Sequence, residues 1–221
     1  GVFQDFAPSP HHMQHVLAPF LRHMGVTVEL RLIRAGYVPQ GSGVIELDVQ
    51  PARDGLQSLV MTEQGAVRQI GGVAFASHLE ERQVSERMAS TCEAHLAAAG
   101  FSATIARVAD TTAVHAGASL AAWAETSTGW VLGADRAGAL RRSSESIGRF
   151  VATTLLEDMN AGATVDRHTA DQLILFAALA HGVSRYRTPR HTPPIPPNPS
   201  PPPHPPPRAP PPPRPTPPAG P

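Results

Sequence analysis

The densest run of chemically competent side chains is His168, Thr169, Ala170, Asp171 and Gln172, two residues after Asp166. Aspartate is a strong helix N-cap, so Asp166 predicts a helix running to about Ala180, before Gly182, with His168 to Gln172 in its opening turns. Backbone N–H groups and the positive end of the helix dipole favour an anion there. Asp171 can accept from a sugar hydroxyl or hold a metal-bound water, Gln172 can donate and accept, and His168 offers a flat ring to a nucleobase. On residue types alone, a solvated polar helix face is the simpler explanation of Asp171 and Gln172.

Other candidates carry less chemistry. His11, His12 and His15 suggest a metal cluster, but no cysteine or carboxylate beside them completes a ligand set, so no metal site is expected. Glu125 reads as a capping or packing residue. The Arg141-Arg142 pair can meet nucleic-acid phosphate, and solvated charge explains it as well. Cys92 is the one cysteine, which excludes a disulfide framework, a cysteine zinc cluster and a paired redox motif.

All 18 basic residues are arginine, balanced by 18 acids. With no lysine, a lysine nucleophile, Schiff base or P-loop lysine is excluded. A covalent intermediate must use histidine, serine, threonine, cysteine or a carboxylate. Neutral net charge argues against a broad surface for duplex DNA and leaves a small RNA-end site open. No run approaches the roughly 20 apolar residues of a membrane helix, and the N-terminus does not read as a signal peptide, so no membrane partner and a cytoplasmic location are expected.

These side chains need elements to position them. Met13, Val16, Leu17, Phe20, Leu21 and Met24 recur at helical steps and stop at Gly25. Thr27 to Arg34 and Val44 to Val49 alternate as two half-buried strands joined by a turn-rich connection. Further strands are expected at Leu59 to Thr62, Ala66 to Ala76, Ser102 to Val108, Ser119 to Thr126 and Gly129 to Ala134. Helices are expected at Glu81 to Ala99 and Ser144 to Asn160, the latter with Ile147, Phe150, Val151, Leu155 and Leu156 as its apolar stripe. The irregular alternation favours an α+β or layered α/β sandwich over a doubly wound parallel sheet. The tail from Pro189 to Pro221 holds 20 of the 25 prolines, predicts extended solvated chain, and offers a ligand to a domain that grips proline motifs or a plain spacer.

Several motifs in order resemble the carboxyl-terminal half of RNA 3'-terminal phosphate cyclases. They are Glu125 to Gly129 (ETSTG), the following VLGAD, Ile147-Gly148-Arg149, Ala161 to Leu173 (AGATVDRHTADQL) and Ser184 to Thr188 (SRYRT). Upstream, the proline-led helix, strand and Y-x-P-x-G-x-G turn are similar as well, and VSERMASTCEAHLAAAGF resembles the family's inserted subdomain. The resemblance covers residue 1 to about 190.

It implies an α/β fold of repeated units like the carboxyl-terminal domain of translation initiation factor three, with a small thioredoxin-like insert. Cyclase core is expected at residues 1–75 and 158–188, the insert at 76–157 and a disordered tail at 189–221. The implied activity, of the ligase class, is ATP-dependent conversion of an RNA 3'-phosphate into a 2',3'-cyclic phosphodiester through a histidine-AMP intermediate, with magnesium assisting. His168, Thr169, Ala170, Asp171 and Gln172 match the family's nucleotide-contacting motif, with Thr169 in place of a usual leucine, and Pro10 matches a proline near the adenine. Phe6 and His12 replace other family residues. The family's nucleophilic histidine falls in this register at about Pro194, which leaves His191 as the nearest candidate, three residues early. The resemblance also implies an amino-terminal half that supplies arginines, a glutamate and glutamines, so the chain reads as a truncated copy. The alternative is a non-catalytic relative that binds RNA or ribosome-assembly partners.

Overall fold

The first helical run starts where Ser9 accepts a hydrogen bond from the His12 N–H and Pro10 opens the first turn. A computed structural model describes residues 1–189 of the chain. The run comprises α1 (Pro10–His12), a five-residue π turn (Met13–Leu17) and α2 (Ala18–His23). The π turn was not legible in the apolar spacing, and its cause is Pro19. Proline donates no backbone bond and its ring crowds the preceding turn, and the turn ahead of it widens so that the Ala18 N–H reaches Met13 O, five residues back.

Strands β1 (Thr27–Arg34) and β2 (Val44–Gln50) form an antiparallel pair, β3 (Val60–Met61) and β8 (Arg185–Tyr186) a short parallel one. The largest sheet holds β4 (Val67–Ser77), β5 (Ala103–Asp110), β6 (Gly117–Thr126) and β7 (Val131–Ala137) in the order β5-β4-β6-β7. There β4 and β5 are parallel and the other pairs antiparallel. Helices α3 (Val84–Ala98) and α4 (Ser144–Asn160) pack on one face of it, and α5 (Arg167–Leu179) follows. The chain is mixed α/β, as the alternation of elements predicts.

Alternation assigns the two sheet faces. Ile70, Ala74 and Ala76 of β4, with Leu120, Ala122 and Ala124 of β6, bury against Met88, Cys92 and Leu96 of α3 and Val151 and Leu155 of α4. The opposite face, with Trp123 and Val131, packs on Val16, Phe20 and Met24 of the first helical run and on Leu173 of α5. The sheet thus lies between two helical layers, and the second layer brings the starts of α1 and α5 together.

Some expectations shift. The boundary expected at 75/76 falls inside β4, whose pairing with β5 and β6 makes Val67 the start of this sheet. β2 is not half-buried: every residue in it is exposed. Its register sets Ile45, Leu47 and Val49 opposite Leu32, Leu30 and Val28, a shared apolar face that packs at β1 and is open at β2. Phe150 is 40% exposed rather than part of the α4 stripe, because it turns outward under the Arg136 guanidinium, 4.3 Å from its ring centroid. The proline-rich tail from residue 190 onward, and with it His191, lies outside the described residues.

Candidate nucleotide site

Asp166 holds the start of α5 in place. Its Oδ1 accepts from the backbone N–H groups of His168 at 2.9 Å and Thr169 at 2.8 Å. Its Oδ2 accepts from the Thr169 hydroxyl at 2.7 Å and from the N–H of Gly133 on edge strand β7 at 3.1 Å. The same Oδ2 stands 3.4 Å from His12 Nε2, an ion-pair distance, and neither ring nitrogen of His12 makes a hydrogen bond. Burial acts to raise the Asp166 pKa, but the His12 charge beside it and the hydrogen bonds it accepts hold it at about 2. Burial likewise acts to lower the His12 pKa, and Asp166, with Asp135 behind it, raises it above the ordinary 6.5.

The next N–H is also taken. That of Arg167 donates to Asp158 Oδ2 at 3.2 Å, and the Arg167 guanidinium bonds Asp158 Oδ1 at 2.7 Å and Glu157 at 2.9 Å. The backbone part of the expected anion cradle is therefore filled: the donors of Arg167, His168 and Thr169 all face protein carboxylates. Sequence reasoning assigned Asp166 the cap but not this consequence. What remains open to a ligand is side-chain chemistry. His168 is half-buried, Asp171 and Gln172 are exposed, and Thr169 and Ala170 are buried, so the latter two shape the helix start rather than reach outward.

Pro10 reaches the same corner from the other side. It is buried at the start of α1, two residues before His12, whose ring meets that of His168 edge-on at a centroid distance of 6.2 Å. Ser9 N–H donates to Asp135 Oδ2 at 2.5 Å, fixing this end of the helix to β7. Only a glycine at 133 permits such close packing, since a Cβ there would sit 2.5 Å from Val16 Cγ2 and 2.8 Å from His12 Cδ2.

The three amino-terminal histidines do not converge. His11 packs among Phe3 and Phe75, where burial first, and His15 second, lower its pKa to about 4. His12 faces Asp166, and His15 stacks on Trp123. Among the described residues no group of three or more His, Cys, Asp or Glu side chains is placed to hold a metal ion. Arg142 is spent on a two-point ion pair with Asp5, at 2.8 and 2.9 Å, while Phe6 is 74% exposed and contributes no wall here.

The family model of RNA 3'-terminal phosphate cyclase matches residues 1–197. The chain belongs to the RNA 3'-terminal phosphate cyclase family. It is 32% identical over 192 residues to an RNA 3'-terminal phosphate cyclase of Pyrobaculum neutrophilum, covering 87% of this chain and 55% of that protein. The cyclase of Caldivirga maquilingensis is 35% identical over 184 residues, 81% of this chain and 51% of the relative. That of Drosophila melanogaster is 33% identical over 196 residues, 87% and 54%. The chain thus spans about half the length of the curated cyclases it matches. Among its described residues no helix is long and apolar enough to cross a membrane.

Proposed function

We propose that the chain carries the nucleoside-binding helix of an ATP-dependent RNA 3'-terminal phosphate cyclase, acting on RNA 3'-phosphate ends in the cytoplasm. The supporting observation is the meeting of α1 and α5, which brings buried Pro10 and half-buried His168 to one corner beside exposed Asp171 and Gln172. His168 supplies a flat surface for a base, Asp171 an acceptor for ribose hydroxyls, and Gln172 a donor and acceptor for either. Thr169 and Ala170 close the floor beneath them. This set fits the adenosine of ATP. It does not fit the triphosphate, because the N–H groups and Arg167 are already paired, and for magnesium it offers the single exposed carboxylate of Asp171, which would meet the ion through its waters.

In the proposed reaction His191 attacks the α-phosphorus and displaces pyrophosphate, forming a phosphorus–nitrogen bond. An oxygen of the RNA 3'-phosphate then takes the AMP and frees the histidine. Finally the adjacent 2'-oxygen attacks that phosphate, expels AMP and closes the five-membered ring, its proton passing to solvent or a base. The family resemblance also suggests the initiation-factor-like units, and the order β5-β4-β6-β7 with α3 and α4 on one face supports the thioredoxin-like insert.

A second reading, a non-catalytic RNA or ribosome-assembly binding protein, is favoured by the occupied N–H groups of α5 and by Pro194 at the histidine's register. Incubation of the full chain with α-labelled ATP and magnesium separates the two. Catalysis predicts an acid-labile, hydroxylamine-sensitive protein-AMP adduct that is lost in His191→Ala; no adduct leaves binding alone.

A further inference from the structure

One helical turn beyond His12, the imidazole of His15 lies flat on the indole of Trp123, with centroids 3.9 Å apart and planes 2° from parallel. Two adjoining cavities, about 680 and about 570 Å³, meet at this stack and share His15, Trp123 and Glu125 as walls. Trp123 is opposite Gly71 on β4, where a Cβ would come within 3.1 Å of the indole nitrogen, so the missing side chain makes room for the ring. On its other side Trp123 pairs with Gly133, whose N–H bonds Asp166. The stack and the candidate nucleotide corner therefore stand on the same strands and the same helical run, His15 following His12 by three residues across the start of the π turn.

We propose that these joined cavities hold the single-stranded RNA immediately upstream of its 3' end, with an unpaired base stacked on the His15 ring, which lines both cavities and is backed by Trp123. This rests on the cyclase reading and extends it to the nucleotides the chemistry does not touch. Aromatic platforms recognise single strands because every base offers a π face, and a duplex keeps its faces buried. Arg22 edges one cavity and Arg68 the other, and neither has an ion pair among the described residues. Arg31 is shared between Glu29 at 3.4 Å and Glu46 at 3.5 Å. With Glu125 also in the wall, charge is nearly balanced and stacking dominates. Two phosphates met by Arg22 and Arg68 give a shallow salt dependence, a log–log slope of roughly −1.4 at about −0.7 per phosphate.

The test uses the full chain without ATP and two labelled eight-nucleotide RNAs ending in a 3'-phosphate. One is intact; the other has abasic sugars at the second to fourth positions from that end. The intact RNA should bind roughly tenfold or more tightly, the scale of base stacking on an aromatic. His15→Ala and Trp123→Ala should remove the difference, and Trp123→Phe should retain part of it. If Trp123→Ala does not fold, His15→Ala, which removes a half-buried ring, decides. Equal affinity for the two RNAs, binding of neither, or an undiminished difference in His15→Ala would overturn the proposal. A protein-AMP adduct without the base-dependent difference sinks the groove alone. The difference without an adduct supports the groove and removes the catalytic reading.

Discussion

His12 Nε2 lies 3.4 Å from Asp166 Oδ2, both side chains sealed from solvent, across 154 residues of chain. The pair locks the opening of the first helical run to the opening of α5, and β7 completes the lock through Gly133 and Asp135. Every side chain assigned to the nucleotide corner takes its position from this junction.

Replacing Asp166 by alanine removes an N-cap, a buried charge partner and an acceptor for four donors at once. Breaking a buried pair by removing one partner costs about 3–5 kcal/mol, so urea unfolding of Asp166→Ala should show a loss of that order. A loss under about 1 kcal/mol would mean the junction does not hold α5.

The same pair sets a pH dependence. The His12 pKa is raised, so its stabilisation is complete below 6.5 and disappears as pH climbs through the higher folded value. Asp166 is lowered to about 2 from 3.8, so its stabilisation is complete above 3.8 and disappears as pH falls toward 2. Unfolding free energy measured against pH should therefore decline on the alkaline side in the wild type, and His12→Gln should flatten that limb. A parallel profile in the variant would contradict the assignment.

Asp158 is fully buried and relies on Arg167 for its neutralisation, with contacts at 2.7 and 3.1 Å. Arg167→Ala strands that carboxylate, with an expected cost of about 3 kcal/mol or more, while Asp158→Asn with Arg167→Ala should recover part of it. A double-mutant cycle in urea measures the coupling, and strict additivity would show that the two residues act independently.

Cys92 sits in the core between α3 and α4, where burial, with a smaller push from Glu93, raises its thiol to about 12. A thiol held that high is inert. Native chain should resist a disulfide-exchange reagent over the time in which urea-unfolded chain reacts completely. Rapid labelling of the folded protein would place Cys92 outside the core.

Local chemistry was legible in the sequence, and long-range chemistry was not. Asp166 as a cap, α4 from Ser144 to Asn160 and β1 from Thr27 to Arg34 follow from capping and periodicity, and the structure has the same elements. Alternation correctly grouped Val28, Leu30 and Leu32 on one side of β1, but it carries no information on what covers a face, and β2 is exposed. The apolar spacing from Met13 to Met24 predicted one uninterrupted helix, and the π turn ahead of Pro19 depends on how the neighbouring turns relax. The link from His12 to Asp166 and the stack of His15 on Trp123 join residues more than a hundred positions apart, and no spacing rule reaches that far. For the site, the HTADQ segment was recognisable, while the occupation of its N–H groups by Asp166 and Asp158 needed the folded geometry.

Titration of the full chain with ATP, beside Asp171→Ala and Gln172→Ala, tests the nucleotide corner most directly. Both residues are exposed, so their loss should leave the melting temperature unchanged. Saturable binding by the wild type is the expected result, weakened roughly tenfold or more in Asp171→Ala, since a hydrogen bond involving a charged group is worth about 1.5–3 kcal/mol, and roughly two- to tenfold in Gln172→Ala, where a neutral one is worth about 0.5–1.5 kcal/mol. Equal affinities in all three chains, or no binding in any, would contradict a nucleotide site at the start of α5.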